Sequence, residues 1–202
     1  MHGIRYGLVY FDIGTEFLAC YPDAFKNTVC AIEAHQHFGG PDPKKTIKSF
    51  RSDNAGELKK AATQLGISNP RSTPYRSTTN AIAERRNRQV LEGIRTLLYV
   101  SGLPLTFWKF AARAWCHIYN CTTLYDDKGK VTKLSPWERR FRKGPFSGHM
   151  VPFGALVYFK PYPGHEISKV GPRGIAGIFV GYKLNPGYKW EDEYIIVPLH
   201  YF

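Results

Sequence analysis

Val90, Leu91, Ile94, Leu97 and Leu98 recur at the spacing of one helix face, in a run that starts near Asn80 and is stopped by Gly102 and Pro104. A helix this long has to lay its apolar stripe on a core, because packing rather than propensity supplies most helical stability. Thr78 and Thr79 are its candidate N-caps. A second helix is expected over residues 105–121, where Trp108 and Trp115 read as core. Upstream, residues 6–11 and 17–21 read as strands joined by a turn at Gly14, and residues 27–38 as a helix. After the break at Gly39-Gly-Pro-Asp-Pro43, the pattern predicts a strand over 46–50, a short helix over 57–65 stopped by Gly66, and an extended stretch over 67–73.

Two carboxylates sit at the boundaries of these elements. Asp53 follows the predicted strand 46–50, and Glu84 lies one turn inside the long helix, so a strand end and a helix start are expected to converge. Carboxylate oxygens are hard ligands suited to Mg²⁺ or Mn²⁺, and such ions activate a nucleophile and stabilise a leaving oxygen in phosphoryl transfer.

The chain has 202 residues, enough for one core and a small second module. Its 28 Lys and Arg against 16 Asp and Glu give a net charge of +12, which favours a polyanionic partner. Four cysteines, Cys20, Cys30, Cys116 and Cys121, lack the spacing of a zinc site and read as reduced thiols. His35 and His37, two apart on a helix, point to different sides, which argues against shared metal ligation. No run reaches the apolar length of a membrane span, and the start lacks a signal-peptide pattern, so an intracellular protein with no membrane partner is expected.

The segments Arg51-Ser-Asp-Asn-Ala-Gly-Glu-Leu58 and residues 72–88, then Ser101-Gly-Leu-Pro-Leu-Thr-Phe-Trp108, resemble ordered blocks of the integrase catalytic core of copia-type retrotransposons. The resemblance continues through Ser135-Pro-Trp-Glu138 and Pro152-Phe-Gly-Ala-Leu-Val157 to Gly177-Ile-Phe-Val-Gly-Tyr182, covering nearly the whole chain. It implies an α/β fold: an RNase H-like integrase core with a mixed sheet flanked by helices, followed by a small β-barrel. The expected organisation is a core over 1–125, a basic linker over 126–150 and the barrel over 151–202. Departures occur at Ser77, Thr78 and Ala81, where the family pattern has proline, glutamine and glycine.

By that resemblance Asp53 and Glu84 are catalytic metal ligands, the cofactor is Mg²⁺ or Mn²⁺, and the parent protein processes the ends of an element's DNA and joins them to target DNA. DNA, a second copy of the chain and other Pol polyprotein segments are the implied partners, and the nucleus the implied location. The family's first catalytic aspartate lies on an earlier strand, so the chain is expected to begin inside the domain. Asp12 is then more structural than catalytic, although its strand-end position keeps a ligand role open.

Arg85 and Arg88 share a helix face beside Glu84 and, with Asn80 at the helix entrance, are candidate phosphate contacts, whereas Arg86 reads as a solvated residue. Arg139, Arg140, Arg142 and Lys143, interleaved with Trp137 and Phe141, form a denser candidate patch for backbone phosphate. Lys44, Lys45 and Lys48 extend the basic track or protect a strand edge. The alternative to an integrase fragment is a non-catalytic nucleic-acid-binding protein built on the same fold.

Overall fold

The computed structural model describes the backbone of residues 5–52, 55–70, 77–125, 131–160 and 173–202. Strands β1 (Tyr6–Phe11) and β2 (Leu18–Asp23) form an antiparallel hairpin in register from Tyr6 opposite Asp23 to Phe11 opposite Leu18. Asp12 closes its turn: one carboxylate oxygen accepts from Gly14 N–H at 3.0 Å and the other from the Thr15 hydroxyl at 2.6 Å. Helix α1 (Thr28–Gly39) starts at Asn27, whose side chain accepts from Cys30 N–H at 2.9 Å, and ends where Gly40 takes a φ of 87°.

The strand predicted over 46–50 does not form. Pro43, preset for a first helical position, opens the one-turn helix α2 (Pro43–Thr46) instead. Ile47 and Phe50, three residues apart, both pack against the aromatic cluster under α1, which a strand's period of two would not permit. Phe50 N–H still reaches the Ser68 carbonyl at 2.8 Å. Helix α3 (Gly56–Gln64) follows, stopped at Gly66 with φ 64°.

Helix α4 (Ser77–Ser101) and helix α5 (Trp108–Cys121), joined through a 3₁₀ turn at Leu105–Phe107, cover one side of the hairpin, while α1 covers the other. Strand β2 is buried on both faces: Leu18 and Cys20 face α4 and α5, and Ala19 faces the cluster of Phe17, Ala34 and Phe38. From α4, Val90, Ile94 and Leu98 enter the core as the helical period requires. Leu91 does not; it is 52% exposed at the border of that face. Gly93 lets α5 approach closely, since a Cβ there would lie 2.1 Å from the Trp115 ring.

The side-chain amide of Asn120 on α5 is fully buried and accepts from Leu18 N–H at 2.8 Å while donating to Leu18 C=O at 2.7 Å. One side chain thereby does for the outer edge of β2 what a neighbouring strand would do.

Regular elements continue on both sides of residues 126–130. Strands β3 (Leu124–Tyr125) and β4 (Val131–Lys133) pair, and helix α6 (Pro136–Phe141) carries a capping box between Ser135 and Glu138. Trp137 of α6 is buried in the aromatic cluster with Tyr10, Phe17 and Phe38.

Strands β5 (Leu156–Phe159), β6 (Ile175–Asn185) and β7 (Lys189–Pro198) form an antiparallel sheet in that order. Among the described residues β5 and β7 are its edges, and these three strands by themselves form an open sheet. Phe153 and Val180 of this region lie in the same cluster as Leu18 and Ile94, so the sheet and the first hairpin share one core. Among the described residues no helix is long and apolar enough to cross a membrane.

Candidate metal and nucleic-acid site

Asp53 lies outside the described residues, and of Asn80 only the backbone, in the first turn of α4, is described. Glu84 stands on the exposed side of α4 and makes no hydrogen bond or ion pair among the described residues. Val90, Ile94 and Leu98 set the azimuth of α4 by seating one side of it on the core, and at 100° per residue Glu84 lies about 80° round from the middle of that side, where it is exposed. Arg85 and Arg88 are exposed beside it, with no ion pair or hydrogen bond among the described residues. Among those residues no three His, Cys, Asp or Glu side chains gather as a metal site.

Arg86 is not the solvated residue expected from the sequence. Its guanidinium sits 4.0 Å from the centre of the Phe11 ring and donates to the Gln89 side chain at 2.7 Å and to the Tyr119 hydroxyl at 3.4 Å. It ties α4 to β1 and α5, with its planar cation on an aromatic face.

The second basic group divides. Arg139 donates to Glu16 at 2.7 Å, and Lys133 binds the same carboxylate oxygen. The Lys133 ammonium first, then Arg139, hold the Glu16 carboxyl below its ordinary pKa. Arg140 donates to the Phe38 carbonyl at 2.5 Å and stacks 4.5 Å from the Phe17 ring and 4.3 Å from the Phe38 ring. Burial pushes its pKa below the usual arginine value. Both arginines thus have protein partners in place of the open face the sequence suggested. Arg142 and Lys143 remain exposed, Arg142 with φ 50° at the end of α6.

Two residues that matter here escaped the sequence reading. Glu16 takes φ 59° in the first hairpin and becomes the anchor of Lys133 and Arg139, a role whose only local signal is the tight turn around Gly14. Tyr188, at the tip of the β6–β7 hairpin with φ 61°, is buried against Phe17, Tyr21, His37 and Phe38. Around it Gly187 N–H donates to the His37 carbonyl at 2.7 Å, and His37 Nε2 donates to Leu184 C=O at 2.8 Å. Nothing within a few residues of Tyr188 in the sequence announces that contact.

Comparison with known proteins places the chain. It is 27% identical over 191 residues to the retrovirus-related Pol polyprotein from transposon TNT 1-94 of Nicotiana tabacum, covering 90% of this chain and 14% of that protein. It is 28% identical over 187 residues to the retrovirus-related Pol polyprotein from transposon RE1 of Arabidopsis thaliana, covering 89% of this chain and 12% of that protein. To the truncated transposon Ty1-A Gag-Pol polyprotein of Saccharomyces cerevisiae it is 29% identical, covering 93% of this chain and 14% of that one. The chain therefore spans a small part of the length of these relatives. No family model matches it. Among solved structures, a chain of the simian T-cell lymphotropic virus intasome in complex with the PP2A regulatory subunit B56 gamma superposes with a TM-score of 0.51 at 13% identity, covering 94% of this chain and 68% of that one. The catalytic core domain of BIV integrase superposes with a TM-score of 0.44 at 16% identity, covering 64% of this chain and 81% of that one.

Proposed function

We propose that this chain, a relative of retrotransposon Pol polyproteins with an integrase-like fold, serves DNA integration: the protein it comes from trims the ends of the element's DNA and joins them to target DNA. The observation that carries the reading is the setting of Glu84, an exposed carboxylate on α4 with the exposed Arg85 and Arg88 to one side of it, none of the three bonded to another of the described residues. Glu84 and Asp53 would hold Mg²⁺ or Mn²⁺; a carboxylate with no protein partner has its lone pairs free for a hard cation. Such an ion, when bound, stabilises the attacking and leaving oxygens of phosphoryl transfer. The chain's own residues bind and align DNA: Arg85, Arg88, Arg142 and Lys143 through their exposed cations, and Asn80 at the helix entrance. Arg139 and Arg140 contribute by holding α6 against the first hairpin, which sets where Arg142 and Lys143 stand. Assembly with a second copy and with other Pol segments, and action in the nucleus, complete the proposal.

The test is Mg²⁺-dependent joining of a labelled duplex to plasmid DNA. Asp53→Asn and Glu84→Gln are each expected to abolish joining while leaving DNA binding in place. Joining that survives either change overturns the ligand roles. Salt-sensitive DNA binding with no joining by the unaltered chain supports the non-catalytic alternative.

A further inference from the structure

We infer that Arg86 is a positioning residue for Glu84: its guanidinium anchors the first turns of α4 and so sets where that carboxylate stands. This role rests on the DNA-integration reading, in which Glu84 holds a metal ion.

The start of α4 has little else to hold it. Over residues 81–89 every side chain is exposed except those of Arg86 and Gln89, which are half-buried. The first fully buried side chain of that stretch's continuation is Val90, about 20 Å from Ser77 at 1.5 Å per residue. Core packing therefore grips the helix well past Glu84, and Arg86 is the contact nearest to it.

That contact joins three elements. The Arg86 cation lies 4.0 Å from the centre of the ring of Phe11, the last residue of β1, and 5.9 Å from that of Tyr119 on α5. It donates within α4 to the Gln89 side chain at 2.7 Å and across to the Tyr119 hydroxyl at 3.4 Å. Its Nε is buried with no hydrogen-bond partner among the described residues, so the packing draws the group out of water. These partners are neutral, and Asp12, next to Phe11, has its two oxygens on Gly14 and Thr15. A planar cation stacked on a ring while donating to two oxygens is a fit that lysine, a point charge, meets only in part.

The azimuths connect anchor and carboxylate. At 100° per residue Glu84 and Arg86 lie about 160° apart around α4, about 80° to either side of Ile94. With Arg86 held on Phe11, Glu84 is left on the other flank, in solvent.

The experiment is residue-resolved amide hydrogen exchange of the 202-residue chain in EDTA, for the unaltered protein, Arg86→Ala and Arg86→Lys, beside a Mg²⁺ titration of DNA joining by the same three. In Arg86→Ala the amides of residues 84–89 are expected to exchange about tenfold faster and those of 94–101 to stay within about twofold, because Val90, Ile94 and Leu98 keep their core contacts. The Mg²⁺ concentration at half-maximal joining should rise about tenfold with a smaller loss in the plateau, and Arg86→Lys should recover part of both effects. Exchange that quickens equally along all of α4 overturns the role, since Arg86 would then hold the whole helix rather than its start. Unchanged exchange, or a lower plateau at an unmoved Mg²⁺ midpoint, overturns it too. An unaltered chain that joins no DNA at any Mg²⁺ concentration removes the parent reading instead, and the exchange contrast then still decides whether Arg86 holds the start of α4.

Discussion

Two runs of arginine in this chain look alike on paper and behave in opposite ways. Along the exposed side of α4, Arg85, Arg88 and Arg95 have solvent around them. On α6, Arg139 is tied to Glu16, and Arg140 is held by the Phe38 carbonyl and the rings of Phe17 and Phe38. The difference lies in what stands opposite. The first hairpin brings a carboxylate and a set of aromatic faces to α6, and nothing among the described residues crosses the outer side of α4. A count of cations therefore overstates how many stand open to solvent, and two arginines of α6 are taken up by contacts within the protein.

The contrast is sharpest for Arg140. Arg140→Ala should cost about 2–3 kcal/mol in a denaturant titration, from the lost stacking and the charged hydrogen bond, whereas Arg88→Ala should stay within about 0.5 kcal/mol. Equal effects would erase the distinction between the two runs.

Acid probes the same docked side. His117 is packed among Trp137, Phe146 and Tyr182, and burial lowers its pKa from 6.5 to about 4. Between those values the unfolded chain binds a proton that the folded chain refuses, so stability should fall as pH drops from 6.5 and stop falling on this account near 4. Burial also lowers the pKa of His35 and His37, which adds to the decline. His117→Phe should flatten part of it in urea titrations run across that range; an unchanged profile would mean the ring is not the acid-sensitive group.

A smaller effect than at Arg140 is expected at Glu16, whose carboxylate is half-exposed. Glu16→Gln should cost under about 1 kcal/mol near neutral pH. Because its folded pKa is lowered, that contribution is present above the ordinary carboxylate value of about 4.3 and is lost as pH falls through the folded one. The gap between the unaltered and Glu16→Gln proteins should close in acid, measured by thermal melting; a gap that persists would assign Arg139 another anchor.

Much of the fold was legible because its signals are local. The helix expected over 27–38 forms as α1 behind the cap Asn27, and Gly66 stops α3. The strand expected at 46–50 failed because Pro43 presets a helical turn and because Ile47 and Phe50 have the wrong spacing for one sheet face. Leu91 was assigned to the core by a periodicity that has some tolerance; the actual azimuth of α4 is set by Val90, Ile94 and Leu98 against α5 and β2. At the candidate site Glu84, Arg85 and Arg88 are exposed, and Asp53 lies beyond the described residues.

The sequence by itself determined the first hairpin, the helices α1, α3, α4 and α5, the excess of positive charge and the blocks shared with retrotransposon Pol polyproteins, since each depends on neighbours a few residues apart. Only the tertiary structure decided which arginines are free, that Asn120 completes β2 and that Tyr188 plugs the first hairpin's aromatic cluster. The Asn120 contact joins residues 102 apart in the chain, and Tyr188 is farther still from Phe17. Burial at such a distance depends on how whole elements pack, and no local pattern encodes it.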